Sequence, residues 1–226
     1  MFWLTLVLTS VFFIDKFTFS VYSFAIVMTI DDWRRIHMTR SQLSSDDEKL
    51  IQELYAKRIL QEGAYTGNLS NTLVITDAEC PNPQVSLDVE TPAAYVIANL
   101  GGALLLQSQE DSLYSGAENA SDGLRQQLRQ LIHEVDQVIL VACVPSWAAA
   151  EADFSVVQII DGLIQVKSAL SQDYRHLPTL AFLFVRFSDR RACTYQIDPL
   201  KFRFWYEEYE QNVLGRQGGL ADDDED

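Results

Sequence analysis

At 226 residues the chain has room for one sizeable α/β domain with extensions. Hydrophobic residues make up 48% and aromatics 11%, enough to build a packed core, which argues against global disorder. A formal net charge of −15 and a pI near 4.5 argue against non-specific binding to nucleic acid or to an anionic membrane, because both need a basic surface.

The first 28 residues, Met1 to Met28, are very apolar. No basic n-region precedes the apolar run, as a signal peptide requires, although Ser23-Phe-Ala25 would pass as a cleavage site. Asp15-Lys16 interrupts it at mid-length, against a clean membrane span. Three readings stay open: a signal or anchor, a docked extension, or a start codon at Met28 or Met38. Translation from Met28 implies a cytoplasmic protein. Retention of residues 1–27 implies a secretory or membrane-anchored one.

Ser44-Ser45-Asp46-Asp47 followed by Glu48 is a helix-start signature. Leu50, Ile51, Leu54, Ile59 and Leu60 continue it as a helical stripe ended by Gly63 and Gly67. Thr72 to Thr76 reads as a buried strand, followed by a loop forced by Cys80-Pro-Asn-Pro83. Ala94 to Ala98 is a second strand, closed by Asn99-Leu-Gly-Gly102, where the glycine pair permits positive φ or close backbone approach. Polar residues 107–121 read as loop. Ser121 or Asp122 then caps a helix with Leu124, Leu128, Leu131 and Ile132 on one face.

Gln137 to Cys143 is the third strand, and Ala148 to Leu170 a helix with Phe154, Val157, Ile160, Ile164 and Val166 inward. Leu180 to Phe187 and Ala192 to Ile197 pair as a hairpin about Ser188-Asp-Arg-Arg191. Leu200 to Leu214 is an aromatic-rich amphipathic helix with Arg203, Glu207 and Glu208 on its polar side. Asp222 to Asp226 is a solvated acidic tail. Alternation of strands and helices predicts an α/β fold: a mostly parallel four-stranded sheet flanked by helices, with a fifth antiparallel edge strand. Ligands of such folds bind beyond the carboxyl ends of the strands. Three cysteines, Cys80, Cys143 and Cys193, show no CxxC spacing, so they are no disulfide framework and suit a reducing compartment.

Two strand ends carry a resemblance. Thr76-Asp-Ala78-Glu-Cys80 and Cys143-Val-Pro-Ser146 stand where the β-class carbonic anhydrases have Cys-x-Asp-x-Arg and His-x-x-Cys. Val96-Ile-Ala98-Asn99-Leu-Gly101-Gly102 is similar to that family's Val-Ile-Arg-Asn-Ala-Gly-Asn/Gly segment, with Ala98 in place of the arginine. The resemblance covers about residues 46–200. It implies a four-stranded parallel core with a fifth antiparallel strand, a dimer, and a zinc held by two thiolates and an imidazole. Carried across, the zinc-ligand positions are Thr76, Cys143 and Ser146, all changed. Ala78, Cys80, Ala98, Asn99, Gly101 and Gly102 complete a degenerate pocket. Neutral hydroxyls are poor zinc ligands, so no cofactor is expected.

Other chemistry is weaker. Cys80 and Cys143 with Asp77 or Glu79 could hold a metal, but free cysteines are commonly small buried hydrophobes. Asp77 and Glu79 as an acid–base pair lack a nameable partner, and solvated loop carboxylates are the plainer reading. Ser146 or Thr76 as a nucleophile lacks a base. The glycine pair lacks any phosphate-binding pattern.

The resemblance thus implies three segments: an apolar extension and linker at 1–45, a β-carbonic anhydrase-like domain at 46–214 and a flexible acidic tail at 215–226. The expected protein is a catalytically inactive member, a pseudoenzyme with a structural or regulatory role. Its partner is a second copy or a related subunit, with no nucleic acid, and with a membrane only if residues 1–27 anchor it. The alternative is an enzyme with a remodelled pocket, a lyase or hydrolase using a different metal or none.

Overall fold

β2 (Thr72–Asp77), β4 (Gln137–Val144) and β5 (Thr179–Arg186) are apolar runs because they are buried on both faces of a sheet. The computed structural model describes residues 43–63, 65–107 and 118–218. Residues 1–42, 64, 108–117 and 219–226 lie outside the described residues, and with them most of the expected extension, polar loop and acidic tail; residues 215–218, expected in that tail, instead continue the last helix, Pro199–Gly218. The described part belongs to one compact unit, Gln42–Asp226.

Six strands form one sheet in the order β1-β6-β5-β4-β2-β3, with β1 (Leu60–Glu62), β3 (Tyr95–Asn99) and β6 (Ala192–Ile197) completing it. β3, β2, β4 and β5 run parallel; β6 is antiparallel to β5, and β1 to β6. The mostly parallel α/β sheet expected from sequence is present. Its fifth strand is not at the edge, however. Residues 59 and 60, read as the end of the first helix, leave it: α1 (Ser45–Ala56) stops at Lys57, and Arg58 takes positive φ (57°). Leu60 then buries fully by pairing with Ile197 and extends the sheet past β6. A short apolar run that helical spacing could accommodate is captured by an open edge, because a buried strand position satisfies backbone and side chain together.

Side chains alternate across the sheet and separate two cores. Leu73, Ile75, Val138, Leu140, Ala142, Leu183 and Val185 face the larger one. Against them lie the 3₁₀ turn Gly102–Leu106, α3 (Glu118–Leu131) and α5 (Val156–Asp173). Val74, Ile139, Val141, Cys143, Phe182 and Phe184 face the smaller core with Leu69 and Leu87. The loop carrying the short α2 (Pro83–Ser86) adjoins it.

The long helix expected from residue 148 is broken into α4 (Trp147–Glu151) and α5, with Asp153 at φ 58° between them. Ser155 explains the restart, since it and Gln158 form a reciprocal capping box. α3 begins at Glu118, ahead of the expected cap at Ser121 or Asp122; the Ser121 hydroxyl instead donates to Leu105 O at 2.6 Å. In α6 (Pro199–Gly218) Phe202 and Trp205 are buried, and the Trp205 indole N–H donates to Glu53 of α1 at 3.1 Å. Among the described residues no helix is long and apolar enough to cross a membrane.

From β2 the chain crosses to β3 on one side and returns to β4 on the other. Such a reversal opens a crevice between the carboxyl ends of the two strands that part there, β2 and β4. Asp77 closes β2, and Ser146 follows β4 by two residues.

Candidate functional site

Asp77 is the last residue of β2, opposite Asn99 of β3. Its carboxylate Oδ1 accepts from Glu79 N at 3.0 Å, and its carbonyl from Cys80 N at 3.0 Å. This Asx-type turn reverses the chain at once. From β4 the chain passes through a cis Val144–Pro145 peptide to Ser146, whose hydroxyl caps α4 by accepting from Ala149 N at 3.4 Å. A third wall is the Gly101–Gly102 turn, with φ of 84° and 51°. A Cβ on Gly102 would stand 2.7 Å from Asp77 N, so the turn can press against the end of β2 only through glycine.

These walls bring two carboxylates onto one hydroxyl. Ser146 Oγ lies 2.9 Å from Asp77 Oδ2 and 2.9 Å from Glu79 Oε2. The same Glu79 oxygen accepts from Trp147 N, in a short bond, and from Ala148 N at 3.4 Å. A hydroxyl has one proton, so Ser146 can donate to one carboxylate only. With Asp77 protonated, its own O–H donates to Ser146, Ser146 donates to Glu79, and every contact is satisfied. Once Asp77 ionises, one close oxygen pair is left without a proton.

Burial pushes the Asp77 carboxyl above the usual carboxylate range. The Glu79 N–H and the Ser146 hydroxyl pull it back, the Glu79 charge adds to the rise, and Arg186 opposes it. Below the ordinary aspartate value the protonated form is bound in both folded and unfolded chains, and the group's stabilising contribution is whole. It is lost as pH rises through the raised folded value. Asp77→Asn keeps a donor toward Ser146 and cannot ionise. Its stability relative to wild type is therefore expected to improve from pH about 4 to pH about 7 in urea denaturation. A constant difference across that range would remove Asp77 as the titrating group.

A cavity of about 10 Å³, the space of one water molecule, lies among Asp77, Gly101, Cys143, Ser146 and Ile159. Of the positions expected to form a pocket, Gly101, Cys143 and Ser146 line it. Gly102 is buried behind Asp77, whereas Ala78 and Ala98 are exposed and Asn99 is half-buried. Thr76 is buried with its hydroxyl on the Asp77 carbonyl at 3.3 Å. Cys80 is half-buried against the smaller core with Cys143.

Asp77 and Glu79 are therefore not solvated loop carboxylates. Asp77 is 5% exposed, and Ser146 is the partner that sequence reading could not name. The local signal was an aspartate closing an apolar run, which suits an Asx-type turn that folds Glu79 back beside it. What no pattern contained was the 67-residue separation between Ser146 and Glu79.

Zinc does not fit this donor set. Thr76 and Ser146 offer neutral hydroxyls, and His133 and His176 are exposed far along the chain. Among the described residues no three His, Cys, Asp or Glu side chains gather as a metal would require. Among the described residues no imidazole approaches Ser146 to activate it as a nucleophile; its hydroxyl is tied into the carboxylates and the α4 cap. The arrangement built here is one hydroxyl shared by two carboxyl groups. No family model matches the chain, and no curated protein matches it either.

Proposed function

We propose that the chain is a β-carbonic anhydrase-like protein without hydrase chemistry, with a structural or regulatory role in a dimer or in a larger assembly with a related subunit. Four parallel strands followed by an antiparallel one, with the critical strand ends adjacent, support the resemblance at the level of fold. One observation carries the functional reading. Where a metal and substrate would stand, Ser146 is locked between Asp77 and Glu79 beside a cavity with room for one water.

The strand geometry also favours moving the first motif back by one residue. Asp77 and Glu79 reach the other strand end, while Ala78 is exposed. Ile75, Asp77 and Glu79 then stand for Cys-x-Asp-x-Arg, in place of Thr76, Ala78 and Cys80. The aspartate is retained, the arginine has become an acid, and a fully buried isoleucine replaces the first thiolate. Zinc fits this register no better. The remodelled-pocket enzyme is favoured only by the upward shift of the Asp77 pKa on burial, since perturbed carboxyls cluster at functional sites.

Elemental analysis of the full purified chain, with CO2 hydration and solution mass measured on the same sample, tests the proposal. The expected result is no stoichiometric metal, no hydration and a mass above one chain. About one metal per chain, or hydration activity, overturns it.

A further inference from the structure

The Cys80 and Cys143 thiols play no part in the Ser146 hydrogen-bond cluster, yet the fold puts them together. Thr76 of β2 pairs with Val141 of β4, and Val74, Val141 and Cys143 face the same smaller core. The turn after Asp77 carries Cys80 back onto that face, where it packs against the cluster that holds Cys143. Cys143 and Thr76 are the side chains near enough to act on the Cys80 thiol. Cys80 is half-buried and Cys143 is 1% exposed, so Cys80 is the more accessible of the two residues.

We propose that Cys80 and Cys143 form a redox site, closing to an intramolecular disulfide in reaction with a low-molecular-weight disulfide such as glutathione disulfide. In the first step the Cys80 sulfur attacks the oxidant. A Cys80–S–S–R bond forms, the oxidant's S–S bond breaks, and the released thiol takes the Cys80 proton. In the second, the Cys143 sulfur attacks Cys80. The protein disulfide forms, the mixed disulfide breaks, and a second thiol leaves with the Cys143 proton. The two cysteines are oxidised by two electrons and the oxidant is reduced to two thiols.

With only two sulfurs and no third ligand gathered among the described residues, a disulfide suits the pair better than a metal does. Closing it pins the residue 78–83 loop, and with it Glu79, to the end of β4. The state of the thiols would thus set how freely the Ser146 cluster can open. Cys193 is the internal control: it stands on β6 opposite Val185, with Tyr195 and Glu62 beside it.

The Cys143 sulfur, then burial, hold Cys80 protonated beyond the ordinary thiol range, with Thr76 opposing and Asp77 adding to the effect. Thiolate is scarce at neutral pH and still a minor form at ordinary thiol pKa values, so the full native chain is incubated for hours with excess glutathione disulfide at the highest pH at which it stays folded. The reaction is quenched with an alkylating agent and mapped by mass spectrometry. The expected main product is a Cys80–Cys143 linked peptide, lighter than the reduced pair by two hydrogens. Cys193→Ser is expected to leave the link intact, and Cys143→Ser to stop at a mixed disulfide on Cys80. In the wild-type chain, a persistent mixed disulfide on Cys80, a link from either cysteine to Cys193, or both thiols remaining free would each overturn the proposal.

Discussion

Ile75→Cys, Glu79→Arg, Cys143→His and Ser146→Cys, combined in one chain, are expected to produce a protein that holds about one zinc. Asp77 is left untouched. These changes restore two thiolates, one imidazole and the aspartate–arginine pair in the register that the strand geometry favours. Asp77 and Glu79 already reach Ser146, and Cys143 and Ser146 already line one cavity. Position 75 faces the larger core and position 143 the smaller, so binding also requires the imidazole to turn across the end of β4 toward that cavity. The matching set Thr76→Cys, Ala78→Asp, Cys80→Arg, Cys143→His and Ser146→Cys is expected to hold none. Its aspartate would start from an exposed position, and its cysteine from a side chain turned to the Asp77 carbonyl. Zinc bound only by the folded chain should stabilise the first variant by about 4 kcal/mol at a free concentration of about a thousand times Kd. Elemental analysis and thermal melts with and without chelator read this out. Zinc in the second variant alone would reverse the register; zinc in neither would count against the resemblance itself.

Gly102→Ala is expected to cost about 2–4 kcal/mol of folding stability, a loss in the upper range for single substitutions. Two effects combine. The backbone stands at φ 51°, which a side-chain-bearing residue adopts at a cost of about 1 kcal/mol or more. The new methyl would also meet Asp77 N at 2.7 Å and Asp77 Cα at 3.0 Å, main-chain atoms of a residue paired with Asn99 of β3. Relief would require the turn to move off the strand end, opening the cavity beside Ser146. Gly123→Ala is the control: it lies within α3 with nothing within 4 Å of a Cβ, and is expected to stabilise by about 0.5–1 kcal/mol. Urea denaturation of both variants decides the matter. A Gly102→Ala loss under about 0.5 kcal/mol, the range of ordinary surface changes, would show that the close approach is not maintained in solution.

The chain's own pattern determined the elements whose period and composition agree. Apolar runs at 72–76, 137–143 and 180–187 could only be buried strands. Pro81 and Pro83 could only follow a strand with a loop, and the Gly101–Gly102 pair could only mark a turn or a close approach. From these the parallel α/β class and the place of the site at the strand ends follow, because local sterics and hydrophobic period are carried by neighbouring residues.

Tertiary structure decided the rest. Leu60 fits a helical stripe as well as a strand, and the open edge of β6 selects the strand. Phe154 and Ser155 suit a continuous helix, yet the reciprocal cap at Ser155 restarts it. Asp77 and Glu79 look like loop acids until Ser146 arrives from 69 and 67 positions away. Cys80 and Cys143 become neighbours only because β2 and β4 lie side by side at the point where the chain reverses direction. Each of these outcomes depends on which distant groups compete for one buried place. That competition is settled by hydrogen-bond satisfaction and packing across the whole sheet, which no local window of the chain contains.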